Sequence, residues 1–184
     1  MKIKVLTSLI VTVAFLAVGC HTEPTPDKPT PTDAVVFTAN YCDCEYYGDY
    51  YTPNIGNYYI HLSDSGFTES GYARPNSTYY RLDLYSDLYD DAEGGALHLP
   101  VGTYTLDTED TLAHGTFSVA WSKYLRSDAE GEFSEELSFE AGELRVTESG
   151  AQLTVSIAGK EHIVTYEGEM LVADKRIDDG DNDD

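Results

Sequence analysis

Apolar side chains recur at every second position through most of this 184-residue chain. Val35, Phe37, Ala39 and Tyr41 alternate with smaller or polar residues. So do Tyr58, Ile60 and Leu62; Tyr80, Leu82 and Leu84; Tyr104 and Leu106; Phe117, Val119 and Trp121; Leu137 and Phe139; Leu144 and Val146; Leu153, Val155 and Ile157; and a last run from Ile163 to Tyr166. Successive side chains of a strand point to opposite faces, so this spacing predicts about nine half-buried strands. Turn-forming clusters separate the runs: Pro53-Asn54-Ile55-Gly56-Asn57, Ser63-Asp64-Ser65-Gly66, Pro75-Asn76-Ser77, Glu93-Gly94-Gly95, Glu130-Gly131, Ala141-Gly142, Ser149-Gly150 and Ala158-Gly159-Lys160. Connections this short mostly join neighbours, so the expectation is an all-β, antiparallel meander of about eight to ten strands. A closed barrel hides the edges of such a sheet completely and a two-sheet sandwich does so less fully, which favours a lipocalin-like barrel over a sandwich. Helical spacing is not sustained over eleven residues anywhere, although Leu84 to Ala92 has room for one helical turn.

The pattern changes at the N-terminus. Met1-Lys2-Ile3-Lys4 is a short basic start, and the uncharged run Val5 to Val18 that follows is shorter than the ~18 residues a membrane span needs. It reads as a secretion signal over residues 1–19. The run ends in Leu16-Ala17-Val18-Gly19-Cys20, which resembles the lipobox of bacterial lipoproteins, with Ala17 departing from the commoner Leu. That resemblance implies cleavage before Cys20 and a diacylglyceryl group on its thiol, and each lipid CH₂ buried in a bilayer contributes roughly 0.8 kcal/mol. Residues 20–33 then carry four prolines and no aliphatic side chain. They cannot bury apolar surface, so they are expected to act as a semi-extended tether. Because Asp does not follow Cys20 directly, the outer membrane is the expected address, on the cell surface or the periplasmic side.

Charge narrows the partners. Formal net charge is −22, and loss of the leader removes Lys2 and Lys4, taking it to −24. Nucleic acid and anionic headgroups are recognised through Lys and Arg, so neither is expected as a partner, and the membrane is contacted through the lipid anchor alone. The stretch 34–173 is long enough for one domain with a real core, and 174–184 reads as an acidic, disordered tail.

Three segments carry a wider likeness: Asn57-Tyr58-Tyr59-Ile60-His61-Leu62-Ser63-Asp64, Tyr79-Tyr80-Arg81-Leu82-Asp83-Leu84-Tyr85 and Leu99-Pro100-Val101-Gly102-Thr103-Tyr104-Thr105-Leu106. Together they resemble a group of small Bacteroides-type (Bacteroidota) lipoproteins of unknown function. The resemblance implies an all-β lipoprotein of gut bacteria and brings no functional residues. Asp110-Thr111-Leu112 also resembles the Asp-Ser/Thr-aliphatic sequon on which these bacteria attach O-glycans, making Thr111 a candidate acceptor. An exposed acidic turn accounts for the same three residues equally well.

Catalytic signatures are absent from the chain: it has no Gly-x-Ser-x-Gly elbow, no helix-borne zinc motif and no phosphate-cradling glycine loop. No cofactor or metal is implied. His61 should share a face with Tyr59, and His114 and His162 fall near strand starts where solvated side chains are ordinary. A metal site from those three would need three strands to converge. Asp87, Asp90, Asp91 and Glu93 lack calcium-loop spacing.

Cys42-Asp43-Cys44 is the most unusual local feature. In an extended strand the two Cα atoms lie ~6.7 Å apart, at the outer limit of disulfide geometry. A local disulfide in the oxidising envelope ranks first, two small buried thiols second, and metal or redox chemistry a distant third.

Tyr46, Tyr47, Tyr50, Tyr51 and Tyr59 sit among acids, and flat rings bordered by carboxylates hold sugars in many proteins. Tyrosine also suits a half-exposed strand, which is the bland account of most of these rings. The sequence therefore points to a lipid-anchored, non-enzymatic binding or structural module whose target is a small ligand, a glycan or an envelope protein. An interior filled by Tyr80, Leu82, Phe117, Val119, Trp121 and Val155 would remove the small-ligand version. The rival is a carbohydrate-active hydrolase using paired carboxylates held ~5 to 9.5 Å apart.

Overall fold

The computed structural model of the chain describes residues 33–89 and 96–176. The leader, Cys20 and the tether up to residue 32, Asp90, Asp91, the Glu93-Gly94-Gly95 turn, and the tail from Ile177 lie outside them. The described residues contain twelve strands and no helix, so the helical turn allowed for after Leu84 is not found up to Tyr89. The strands are β1 (Val35–Ala39), β2 (Tyr41–Gly48), β3 (Gly56–Ser63), β4 (Thr78–Ser86), β5 (Gly102–Asp107), β6 (Thr116–Ser118), β7 (Lys123–Ser127), β8 (Phe133–Ser138), β9 (Ala141–Thr147), β10 (Gly150–Ile157), β11 (Lys160–Glu167) and β12 (Ala173–Asp174). They form one strongly curled sheet, a half-barrel, in the order β1-β11-β10-β9-β5-β6-β4-β3-β2-β12, with the β7–β8 hairpin branching from β4.

Local chemistry sets the tight turns. Ala158 and Gly159 between β10 and β11 both have positive φ, 50° and 75°, the pairing that a two-residue hairpin of matching twist demands. Gly150 opens β10 at a φ of +151°, where an added Cβ would lie 2.1 Å from the carbonyl oxygen of Tyr166.

The sheet is mixed, which corrects the expected antiparallel meander. β1 runs parallel to β11, β12 to β2 and β5 to β6. The first two arise because strands near opposite ends of the domain dock beside partners remote in sequence. The third arises because residues 108–115 carry the chain back alongside Thr105 before β6 begins. Asp107 shapes that segment by accepting the backbone N–H groups of Glu109 at 3.0 Å, Thr111 at 2.6 Å and Leu112 at 3.1 Å.

The run expected as one strand from Val35 to Tyr41 breaks at Asn40, whose backbone N–H donates to the Ser63 carbonyl. The alternation slips by one residue there. Ala39 points inward, Tyr41 turns outward, and Cys42, Cys44 and Tyr46 face the interior. At the other end, Asp174 pairs with Tyr46 and the Lys175 N–H donates to the Tyr46 carbonyl, so sheet pairing continues past residue 173.

Side chains fill the concave interior. Ile60, Leu62, Leu82, Leu84, Phe117, Leu144, Leu153 and Val164 are fully buried, and ring pairs such as Tyr46–Tyr58 at 4.8 Å close the gaps between strands. Tyr80, Leu82, Phe117 and Val155 lie inside as the alternation requires, and Val119 is half-buried. Trp121 is the exception: β6 ends at Ser118 and the indole is 60% exposed. A smaller apolar cluster of Ala73, Tyr79 and Leu125 packs with Phe67 on the opposite face of β4, under the loop from Asp64 to Ser77.

Candidate functional site

β4 is buried on both faces, and that is where the chemistry collects. Its inward side chains Tyr80, Leu82 and Leu84 join the core, while Tyr79, Arg81, Asp83 and Tyr85 point the other way. The pairing of β2, β3 and β4 sets Glu45 beside Tyr59 beside Asp83, and Asp43 beside His61 beside Arg81. Asn57 stands next to Tyr85.

A local break in the sheet exposes part of this face. β4 pairs with β7 from Thr78 to Arg81 and with β6 at Leu84 and Tyr85, leaving Leu82 and Asp83 opposite an excursion of the chain from Val119 to Ser122. The Asp83 backbone N–H, deprived of a ladder partner, donates instead to Ser122 Oγ at 3.1 Å. The excursion is pinned at two further points. Trp121 N–H donates to Ser118 Oγ at 3.2 Å, and the Trp121 carbonyl accepts Arg81 Nε–H at 3.0 Å. Extra residues inserted between paired strands re-aim side chains, and here they turn the indole outward.

Asp83 is a buried carboxylate with both oxygens engaged. Asn57 Nδ2 donates to Oδ1 at 2.7 Å and the Tyr85 hydroxyl to Oδ2 at 2.9 Å. Burial raises its pKa, the two hydrogen bonds oppose that rise, and nearby Asp110 adds to it. Asp110 itself accepts the Ser118 hydroxyl. Tyr85, buried and facing Asp83, is pushed well up the scale, chiefly by desolvation.

Aromatic rings surround this network. Tyr47 donates to Glu45 Oε2 at 2.7 Å and lies edge-on to Tyr51 at 6.5 Å, which in turn meets Tyr50 at 5.0 Å. Tyr51 adds to the upward pKa shifts of Tyr47, Tyr59 and Tyr85, all led by burial, so the four phenols share one neighbourhood. Tyr59, His61, Phe67 and Tyr79 continue as a line of ring contacts at 4.9 to 5.1 Å, and the Arg81 guanidinium lies 5.9 Å from the Tyr59 ring. His61 is held neutral, its pKa lowered to about 4 by burial and, secondarily, by Arg81. Tyr50 and Tyr51 are 70% and 56% exposed.

The structure thus brings together Tyr47, Tyr50, Tyr51 and Tyr59 of the rings singled out in the sequence. Tyr46 departs from them: it is 1% exposed and points into the core, because it shares the inward phase of Cys42 and Cys44. Those two cysteines are free thiols, where a local disulfide ranked first. They pack inward as small core side chains; burial pushes the Cys42 thiol up to about 12 and raises Cys44 well above its ordinary value. Thr111 is exposed, its hydroxyl donating to Asp107 Oδ2 at 2.7 Å.

His61 and His162 face opposite sides of the sheet. His162, far from solvated, is buried with its Nδ1 2.8 Å from the Tyr80 hydroxyl, and His114 meets Asp87 at 3.0 Å on the surface. Among the described residues no group of three His, Cys, Asp or Glu side chains is placed to hold a metal ion. A separate concavity of about 280 Å³ lies between the start of β5 and the β9–β10 turn, lined by His98, Leu99, Val101, Glu148, Glu169 and Met170.

Sequence reasoning missed Arg81, Asp83, Tyr85 and the outward placement of Trp121. The alternation Tyr79, Arg81, Asp83, Tyr85 was present in the chain as the complement of Tyr80, Leu82, Leu84.

No family model, no curated protein and no solved structure matches the chain. Its function is therefore to be sought in these residues themselves.

Proposed function

We propose that this chain is a lipid-anchored, non-enzymatic binding module of the bacterial envelope, and that it holds a glycan on the outer face of β2, β3 and β4. The observation that carries the reading is the grouping of exposed Tyr50 and Tyr51 beside half-buried Tyr59 and Arg81, with exposed Trp121 tied to Arg81 through its carbonyl, on a base of fixed polar groups. Flat rings cover the apolar faces of sugars, and pre-set polar groups orient the hydroxyls. Binding is favoured over hydrolysis because Asp83 has both oxygens committed internally and Asp110 is tied to Ser118. A hydrolase needs two carboxyl groups free to exchange protons across a cleft. The half-barrel is read as a lipocalin-like barrel whose interior serves as a core, which directs binding to the outside. Anchoring through Cys20, with residues 20–33 as the tether and the outer membrane as the address, completes the proposal.

Calorimetric titration of the whole chain in mild detergent against a glycan library, alongside glycosidase substrates, tests the reading. Saturable glycan binding weakened at least about ten-fold by Trp121→Ala or Tyr51→Ala is expected, since an aromatic platform contributes several kcal/mol at most. Turnover of a substrate would make the protein a hydrolase, and silence across the library would remove the glycan. Cys20→Ser should release the protein from the membrane fraction; retention there would show the anchor to be misassigned.

A further inference from the structure

The aromatic face carries a positive charge that no carboxylate meets at ion-pair distance among the described residues, although Arg81 does lower the pKa of Asp83 through space. Arg126, Arg145, Lys175 and Arg176 each pair with a carboxylate, and Arg74 and Lys160 are exposed to water. Arg81 is half-buried and pairs with none: among the described residues its one hydrogen bond is from Nε to the Trp121 carbonyl, and its two terminal amino groups make none. In a chain with 33 acidic residues this takes arrangement. The nearest acid on its own strand, Asp83, has its oxygens taken by Asn57 and Tyr85. On β3 its register partner is His61, held uncharged, with Asp43 one strand farther away. On β7 its partner is Lys123, a second cation, whose Nζ donates to Ser138 Oγ and the Val119 carbonyl and meets no carboxylate. Asp110 accepts the Ser118 hydroxyl, and Glu45 is occupied by the Tyr47 hydroxyl and sits 3.7 Å from Lys175.

We propose that Arg81 is a carboxylate receptor and that the glycan bound on this face is acidic, a sugar bearing a carboxylate of the uronic-acid type. The inference rests on the glycan reading above. A guanidinium is planar, always charged and matched to a carboxylate by two parallel hydrogen bonds. Anchored by Nε to the Trp121 carbonyl and lying over the Tyr59 ring, this one keeps both terminal amino groups for a ligand at little cost in side-chain ordering. Lys123 supplements the local potential. Tyr50, Tyr51 and Trp121 offer ring faces to the body of the sugar, so the same face supplies both the charge and the platform.

The test titrates the whole chain in mild detergent with oligomers of galacturonate, glucuronate and mannuronate, and with each oligomer after its carboxylates have been reduced to hydroxymethyl groups. At least one oligouronate should bind, and its reduced counterpart should bind at least about ten-fold more weakly, the effect of a charge-assisted pair. Arg81→Gln should impose on the acidic oligomer a loss at least about five-fold greater than any it imposes on the reduced one. Lys123→Gln should produce a smaller loss of the same selectivity, which guards against a folding defect in the first variant. Equal binding of acidic and reduced oligomers, or an equal loss of both in Arg81→Gln, overturns the carboxylate and leaves a neutral-glycan site standing. Binding of neither, to native protein, overturns this inference and leaves the glycan reading to the library titration described above.

Discussion

Replacing His61 by phenylalanine should remove a pH dependence from the stability of this protein. The imidazole lies edge-on between the rings of Tyr59 and Phe67, at 5.1 and 4.9 Å, and its folded pKa is about 4 against 6.5 in an unfolded chain. A depressed histidine pKa means that the fold tolerates only the neutral form. The stability it permits is complete above pH 6.5 and is lost as pH falls toward 4, because the unfolded chain takes up the proton first. Each pH unit separating the folded from the unfolded pKa is worth about 1.36 kcal/mol, so the full loss is roughly 3 kcal/mol, most of it between pH 7 and 4.5.

Buried Asp83 and exposed Asp43 act with the opposite sign. Their carboxyl groups are raised, mainly by desolvation, so each folded-state penalty on the ionised form is relieved as pH falls. They are common to both proteins and largely cancel when His61→Phe is subtracted from the native chain. Urea unfolding at half-unit steps of pH gives both curves. The native chain should lose about 2 to 3 kcal/mol relative to the variant between pH 7 and 4.5. Two parallel curves would refute the buried, neutral imidazole.

Four further outcomes check the fold and the site. Leu82→Ala should cost about 2 to 5 kcal/mol in urea unfolding, because Leu82 is fully buried where β3 and β4 pack the interior. Trp121→Ala should stay within about 0.5 kcal/mol of the native chain, and the emission of this single tryptophan should be that of a solvated indole open to iodide quenching; a blue-shifted, protected emission would return it to the core. Asp83→Ala leaves the Tyr85 hydroxyl without its acceptor and the Asn57 amide with only its longer bond to the Leu84 carbonyl, and should cost about 2 to 4 kcal/mol. Cys42 and Cys44 should resist a thiol reagent in the native state and both react once the chain is unfolded without reductant; fewer than two reactive thiols would restore the disulfide.

Strand positions were legible because alternation records burial, and burial is what Ile60, Leu62, Leu82, Leu84, Leu153 and Val155 share. Pairing partners were not legible, since alternation is blind to which strand lies alongside. The parallel partners of β1 and β12 are set by residues more than 100 positions away. Two local misreadings have one cause. A period of two assumes an unbroken strand, and both Asn40 and the excursion after Ser118 insert a residue or more without any Gly or Pro to announce it. Tyr41 and Trp121 consequently change faces, and Tyr46 moves to the core by the same arithmetic.

The excursion from Val119 to Ser122 also explains why the site falls on this stretch of sheet. Had β6 run on into β7 as one strand, the Asp83 N–H would have found a backbone carbonyl and Trp121 would have kept the phase of Phe117, inside. Inserting three residues between the two registers leaves a donor that only a side chain reaches, and Ser122 meets it. It also leaves the Trp121 carbonyl turned toward β4, where Arg81 meets it. Each replacement bond fixes a group that the ladder would have left free or hidden. The Asp83 network therefore serves as the rigid base of the face, and Arg81 and Trp121 are the two groups presented above it. Deleting the three inserted residues, by joining Ser118 directly to Ser122 so that Lys123 keeps its place opposite Arg81, should leave the core residues Leu84 and Phe117 in place and abolish the proposed glycan binding without unfolding the protein. Loss of folding in that deletion would mean the excursion is needed for the sheet itself rather than for the surface it displays.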